Sequence, residues 1–130
     1  MIKKLLCIDD DQTTLMLIKL VIEKASFAKE VILKSSGQAA MDYYIELSKK
    51  PVIDDYPELI FLDLNMPVLS GWEFLEEFIT NYYSTMPNTK VLILSSSTNP
   101  VDKEKAKLYP IILGYISKPI TVDLLKKLIN

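Results

Sequence analysis

A chain of 130 residues with 49% hydrophobic and 25% charged side chains is long enough to fold around one real core. Its formal net charge of -2 gives no electrostatic reason to bind the polyanionic backbone of a nucleic acid, and no apolar run reaches the roughly 18 residues of a membrane span. The complete lack of histidine excludes a Ser-His-Asp triad, a histidine-ligated zinc site and phosphoryl donation from imidazole, so any phosphohistidine must come from a partner.

Short apolar, β-branched runs alternate with longer segments of helical period, the pattern of a parallel sheet covered by helices on both faces. A first strand is expected over residues 5–8. It holds the single cysteine, Cys7, expected to be buried and inert, as suits a reducing compartment. The carboxylates that begin at Asp9 come too early for a signal peptide, so a cytoplasmic location is expected. Asp11 is placed to cap a first helix over 12–24, with Leu15, Ile18 and Ile22 toward the core. A strand over 31–33 and a helix over 37–48 follow. Residues 48–57, with two prolines and several charges, read as an exposed loop before a strand over 59–62.

The third helix should start after Gly71, with Trp72, Leu75 and Ile79 on its inner side and Glu73, Glu76 and Glu77 beside them. A strand over 91–94 and a helix over 101–109 come next, the helix stopped by Pro110. The last pair is a strand over 112–116 and a helix over 121–129 that sets Leu124, Leu125 and Leu128 on one side. All five strands are nearly pure apolar, which predicts burial on both faces. Trp72 and the tyrosines at 43, 44, 82 and 83 read as packing or scattered surface aromatics, and Lys126 and Lys127 as a solvated face. No repeat, low-complexity tract or linker appears, so residues 1–130 are expected to form one domain.

Ligands of an open parallel sheet bind beyond the carboxyl ends of its strands. Here those ends read Asp9-Asp10-Asp11, then Asp63-Leu64-Asn65-Met66-Pro67, then Ser95-Ser96-Ser97, then Ser117-Lys118-Pro119. Carboxylates from neighbouring strand ends repel by roughly 4 kcal/mol at 4 Å with an effective dielectric near 20, so a cation belongs between them. Magnesium, Mg2+, suits the set, because it needs only one or two carboxylates and a carbonyl from the protein. Asp10 and Asp63 are the expected direct ligands, Asp9 a ligand through water and the Asn65 carbonyl the backbone ligand. The same arrangement offers what carboxylate phosphorylation needs: a nucleophile at Asp63, a metal, a hydroxyl, and Lys118 to pair with the phosphoryl group.

Taken singly, each piece has a plainer reading. Asp9 to Asp11 would be a solvated acidic turn, Asp63 an ordinary strand-end carboxylate, Ser95 a cap and Lys118 a loop residue. Together, in the order Asp9-Asp10, Asp63-Leu64-Asn65-Met66-Pro67-Val68-Leu69-Ser70-Gly71, Ser95 and Tyr115-Ile116-Ser117-Lys118-Pro119, they resemble the receiver domains of bacterial two-component response regulators over nearly the whole chain.

The resemblance implies a doubly wound, flavodoxin-like sheet of five parallel strands and a single-domain, chemotaxis-type regulator. A histidine kinase or histidine phosphotransfer protein would serve as donor, and the phosphate would return slowly to water. It further implies a switch, in which the Ser95 hydroxyl moves toward the phosphoryl group and Tyr115 turns inward, altering the face built from the fourth helix, fifth strand and fifth helix. Asn65 and Ser97 are expected to line the route of the attacking water.

Three features depart from the family pattern: serine in place of threonine at 95, a longer loop over 49–57, and Tyr109-Pro110-Ile111-Ile112-Leu113 before the last strand. An aspartyl phosphatase on a related fold would need a second acid two residues after Asp63, where Asn65 stands. A receiver that binds partners without phosphate would not need the full set of site residues. With no output segment after Asn130, signalling is expected to run through contacts with a downstream protein, whose identity the sequence does not name.

Overall fold

The computed structural model describes residues 1–96 and 99–128. Strands and helices alternate strictly: β1 (Ile2–Ile8), α1 (Gln12–Lys24), β2 (Ala28–Lys34), α2 (Gly37–Ser48), β3 (Leu59–Leu62), α3 (Gly71–Asn81), β4 (Lys90–Ser95), α4 (Pro100–Ala106), β5 (Ile112–Ser117) and α5 (Val122–Leu128). Every strand pairing is parallel, in the order β2-β1-β3-β4-β5. The chain steps outward from β1 to β2, then reverses to β3. That reversal opens a crevice between the carboxyl ends of β1 and β3.

Strand alternation divides the core into two layers. Leu5, Cys7, Leu59, Phe61, Leu92 and Leu94 pack with Leu15, Ile18 and Ile22 of α1 and Leu125 of α5. Leu6, Ile8, Ile60, Leu62, Val91 and Ile93 pack with Ala40 and Tyr44 of α2, Phe74, Leu75 and Phe78 of α3, and Ala106 of α4. Each such large side chain contributes about 1.5–3 kcal/mol by leaving water. Cys7 is fully buried, and burial pushes its thiol well above the ordinary range.

Four helices start from a side-chain cap. Asp11, Ser36, Ser70 and Asn99 accept from the backbone of α1, α2, α3 and α4, and Ser70 forms a reciprocal pair with Glu73. Such a cap is worth about 1 kcal/mol and fixes where the loop ends.

Several expectations need correction. The edge strands β2 and β5 are only half-buried, with Lys29, Glu30 and Leu113 exposed, because each has a neighbour on one side only. The buried face of α3 is Gly71, Phe74, Leu75 and Phe78, while Trp72 and Ile79 lie half-buried at its margin. Helix α4 stops at Ala106, four residues before Pro110, and Lys107, Leu108 and Tyr109 continue as tight turns. Leu128 is 46% exposed on α5, and residue 129 lies outside the described residues. In the loop after α2, Pro57 is buried and Ile53 and Tyr56 pack on the core; Tyr56 also accepts from the Asn88 N–H.

Candidate functional site

The three residues that matter most are placed by backbone before their side chains do anything. The Asp9 N–H donates to the Lys34 carbonyl at 3.1 Å, the Asp63 N–H to the Ile8 carbonyl at 3.0 Å, and the Lys118 N–H to the Ser95 carbonyl at 3.0 Å. Each sits one residue beyond its strand yet still belongs to the ladder, so the sheet's rigidity is passed to the site.

Their side chains converge. One oxygen each from Asp9, Asp10 and Asp63 lies within 4.8 Å of the others. Asp9 and Asp63 are buried, at 2% and 5% exposure, and Asp10 is open to solvent. Asp9 accepts from the Asp11 N–H at 2.9 Å and from the Lys118 ammonium, whose Nζ also lies 3.5 Å from Asp63 Oδ1. The Asp63 carboxylate accepts from the Asn65 backbone.

These contacts leave negative charge in excess. Burial, and then the neighbouring Asp9 carboxylate, push Asp63 up to about 6, against the pull of Lys118 and the Asn65 N–H. Burial draws the Lys118 ammonium down, but Asp9 and Asp63 outweigh it and hold its affinity for the proton above the ordinary lysine value. Three carboxylates against one ammonium form an all-oxygen donor set with room for a hard cation.

The β3–α3 connection is shaped around Asp63. The Leu69 N–H donates to the Pro67 carbonyl at 2.8 Å, and Val68 between them has φ 68, a tight γ-turn with a β-branched residue in the left-handed region. A Cβ on Gly71 would meet the Asp63 carbonyl at 2.3 Å and the Leu64 Cα at 2.8 Å; one on Gly37 would meet the Leu69 carbonyl at 2.7 Å. Only glycine allows α2 and α3 to begin this close to the loop that presents Asp63 and Asn65.

The sequence motif pointed to the turn beside Gly71. Nothing in it pointed to Gly37, whose contact lies 32 residues away and exists only in three dimensions.

Ser95 is fully buried at the end of β4, opposite Ser117 of β5. Tyr115 is half-buried on β5 with the Lys103 ammonium 5.8 Å from its ring centroid. Asn65 is exposed beside Asp63, Ser96 is exposed, and Asp11 serves as a helix cap through Thr13 and Thr14. Ser97 lies outside the described residues. Among those described, no helix is long and apolar enough to cross a membrane.

Beside the site, Thr14, Leu17 and Ile18 of α1 face Lys118, Pro119 and Ile120 across a shallow groove of about 100 Å³. On the outer side of α1, Met16, Leu17 and Leu20 form an apolar stripe, each more than half exposed.

The chain is similar to known proteins over most of its length. The family model of the response regulator receiver domain matches residues 5–130. Protein PilG of Pseudomonas aeruginosa is 32% identical over 100 residues, which are 72% of this chain and 68% of that protein. A two component response regulator from Cytophaga hutchinsonii is 32% identical with a TM-score of 0.87, over 99% of this chain and 95% of that one. A response regulator receiver protein from Dyadobacter fermentans is 26% identical with a TM-score of 0.80, over 98% and 94% of the two chains. The acidic crevice at the sheet reversal thus sits in a chain that belongs to the response regulator receiver domains of two-component signalling.

Proposed function

We propose that Asp63 accepts a phosphoryl group from the phosphohistidine of a histidine kinase or histidine phosphotransfer protein, and that the modified domain signals through contacts with another protein. The single observation that carries this is the Asp63 carboxylate itself: buried at the end of β3, raised to about 6, and held among Asp9, Asp10 and Lys118.

In the forward step an oxygen of Asp63 attacks phosphorus, the phosphorus–nitrogen bond to the partner's imidazole breaks, and an acyl phosphate is left on the chain. Water later attacks the same phosphorus, the bond to Asp63 breaks, and carboxylate and inorganic phosphate are restored. Lys118, now shared between Asp9 and Asp63, would pair with a phosphoryl oxygen, and the Ser95 hydroxyl would bond another.

Magnesium fits the donor set, with Asp10 and Asp63 as direct ligands, Asp9 acting through water and Asn65 through its carbonyl; when bound it supplies neutralisation of the phosphoryl oxygens. The added phosphate brings about -1.5 to -2 charges, enough to bias Ser95 and Tyr115 by about 1–3 kcal/mol. The apolar stripe of α1 and the groove beside Lys118 would offer the donor an apolar docking face.

Intact mass after incubation with acetyl phosphate tests the reading. A single phosphoryl adduct is expected only with magnesium present, and none on Asp63→Asn. A folded protein that gains no adduct, and takes no phosphate from a phosphorylated kinase, would be a partner-binding module instead.

A further inference from the structure

We propose that Trp72, on α3, is a clasp that holds α4 in its unphosphorylated position and so sets how readily this domain switches. The inference rests on the phosphoacceptor reading above and goes beyond it, because no residue of the clasp touches the acidic site.

Helix α4 is poorly anchored by apolar burial. Of its seven residues only Ala106 is buried; Pro100, Val101, Lys103 and Glu104 are exposed, and Asp102 and Lys105 are half-buried. Those last two share one helix face, and both meet Trp72, the single tryptophan of the chain. The indole Nε1–H donates to Asp102 Oδ1 at 3.1 Å, and the Lys105 ammonium stands 4.6 Å from the ring centroid.

The turn that follows α4 joins the same ring. Tyr109 stacks on Trp72 at 5.7 Å with 27° between planes, and its hydroxyl donates to Glu76, one helical turn along α3 from Trp72. A hydrogen bond, a cation over the ring and a ring stack thus tie both ends of α4 to α3. Through its other contacts α4 packs against β5, where its Lys103 stands over Tyr115.

The position of α4 makes this consequential. Its first residue is five places after Ser95, whose hydroxyl would be drawn toward a phosphoryl group, and its Lys103 stands over Tyr115, the other residue expected to move. Any shift of Ser95 and Tyr115 therefore pulls on a helix that Trp72 also holds, through Asp102 and Lys105. A clasp that favours the resting position lowers the population of the active one, and the apparent affinity for anything that binds the active state falls by the same factor.

The test compares the full chain with Trp72→Phe, which removes the indole N–H, and Tyr109→Phe, which keeps the stack but frees Glu76. Beryllium fluoride, a phosphoryl mimic, is titrated with magnesium present, and amide hydrogen exchange is followed in α4 and in β1 and β3. Trp72→Phe is expected to bind the mimic about three- to tenfold more tightly and Tyr109→Phe about twofold more tightly. Both should exchange α4 amides faster by similar factors while β1 and β3 are unchanged.

Unchanged affinity and unchanged α4 exchange would overturn the proposal, as would faster exchange spread equally over β1 and β3. If the unaltered protein fails to bind the mimic at all, it is the phosphoacceptor reading that falls, and with it the switching role, while the α4 exchange still reports whether the clasp exists.

Discussion

Each end of the sheet has a lysine between two carboxylates, and the two ends behave differently. At the amino end Lys4 lies 3.4 Å from Glu30 and 3.0 Å from Asp55, whose side chains are 58% and 75% exposed. At the carboxyl end Lys118 bridges Asp9 and Asp63, whose side chains are 3% and 6% exposed. Water screens the first cluster, so it is an ordinary surface network of small energetic weight. In the second the two bridged carboxylates are almost wholly buried and Asp10 is added at the open side, so its charges are relieved by protons, a metal or a phosphoryl group with its own cation. Burial of the partners makes a charged cluster chemically poised.

The sharpest way to break this comparison is to remove each lysine in turn. Lys118→Met should cost about 3 kcal/mol in chelator, because two buried carboxylates lose their counter-ion, and millimolar magnesium should recover part of the loss. Lys4→Met should cost under about 1 kcal/mol. Equal effects in urea unfolding would mean that burial does not separate the two ends.

A second contrast concerns glycine. Gly71→Ala pushes a Cβ into the Asp63 and Leu64 backbone and should destabilise by about 2–3 kcal/mol, with a slower phosphorylation rate even where the protein stays folded. Gly114→Ala on β5 places its Cβ 3.5 Å from Leu92 Cδ1, an ordinary contact, and should change stability by less than about 1 kcal/mol. The phosphorylation rates of both proteins decide whether the close approach serves the site.

The third is the pH dependence of metal-free stability. Asp63 is raised in the folded protein to about 6, so protonation favours the fold: stability from this group is present at low pH and lost as pH rises through about 6. Asp63→Asn should therefore be more stable than the parent by about 1–2 kcal/mol at pH 7. The gap should close as the pH is lowered toward 4. Parallel curves for Asp63→Asn and the parent would contradict the crowding of charge at the site.

The smallest effect separates burial of a charge from burial of a neutral group. The Tyr44 hydroxyl, fully buried among Tyr43, Phe74, Phe78 and Tyr82, is the one buried side-chain polar atom without a hydrogen-bond partner among the described residues. Tyr44→Phe should raise stability by about 1 kcal/mol in thermal unfolding, with no change in phosphorylation.

Much of this was readable in advance where one kind of signal acted alone. The bounds of α1, α2 and β3 follow from a cap, a period and a run of four apolar residues, all local. The site residues were legible because the chemistry of a parallel sheet collects at strand ends, and Asp9, Asp10, Asp63 and Lys118 are among the charged groups there. In α3 the apolar residues Trp72, Phe74, Leu75, Phe78 and Ile79 share one arc of about 160° at 100° per residue, so the period marks the inner side but not which edge of the arc lies deeper. For α4, Pro110 gives a local reason for the helix to end by Tyr109 but not for a stop at Ala106; Tyr109 is held by Trp72 and Glu76, more than 30 residues earlier.

The order of the elements, the layers they form and the acidic strand ends are written in local pattern and in the topology that pattern permits. The depth at which Asp9 and Asp63 are buried, the need for Gly37 and Gly71 to lack a Cβ, and the meeting of an indole with α4 come from the folded arrangement alone. Those depend on distances between residues far apart in the chain, and desolvation, steric exclusion and side-chain contact are set by distance in space rather than by neighbours in sequence.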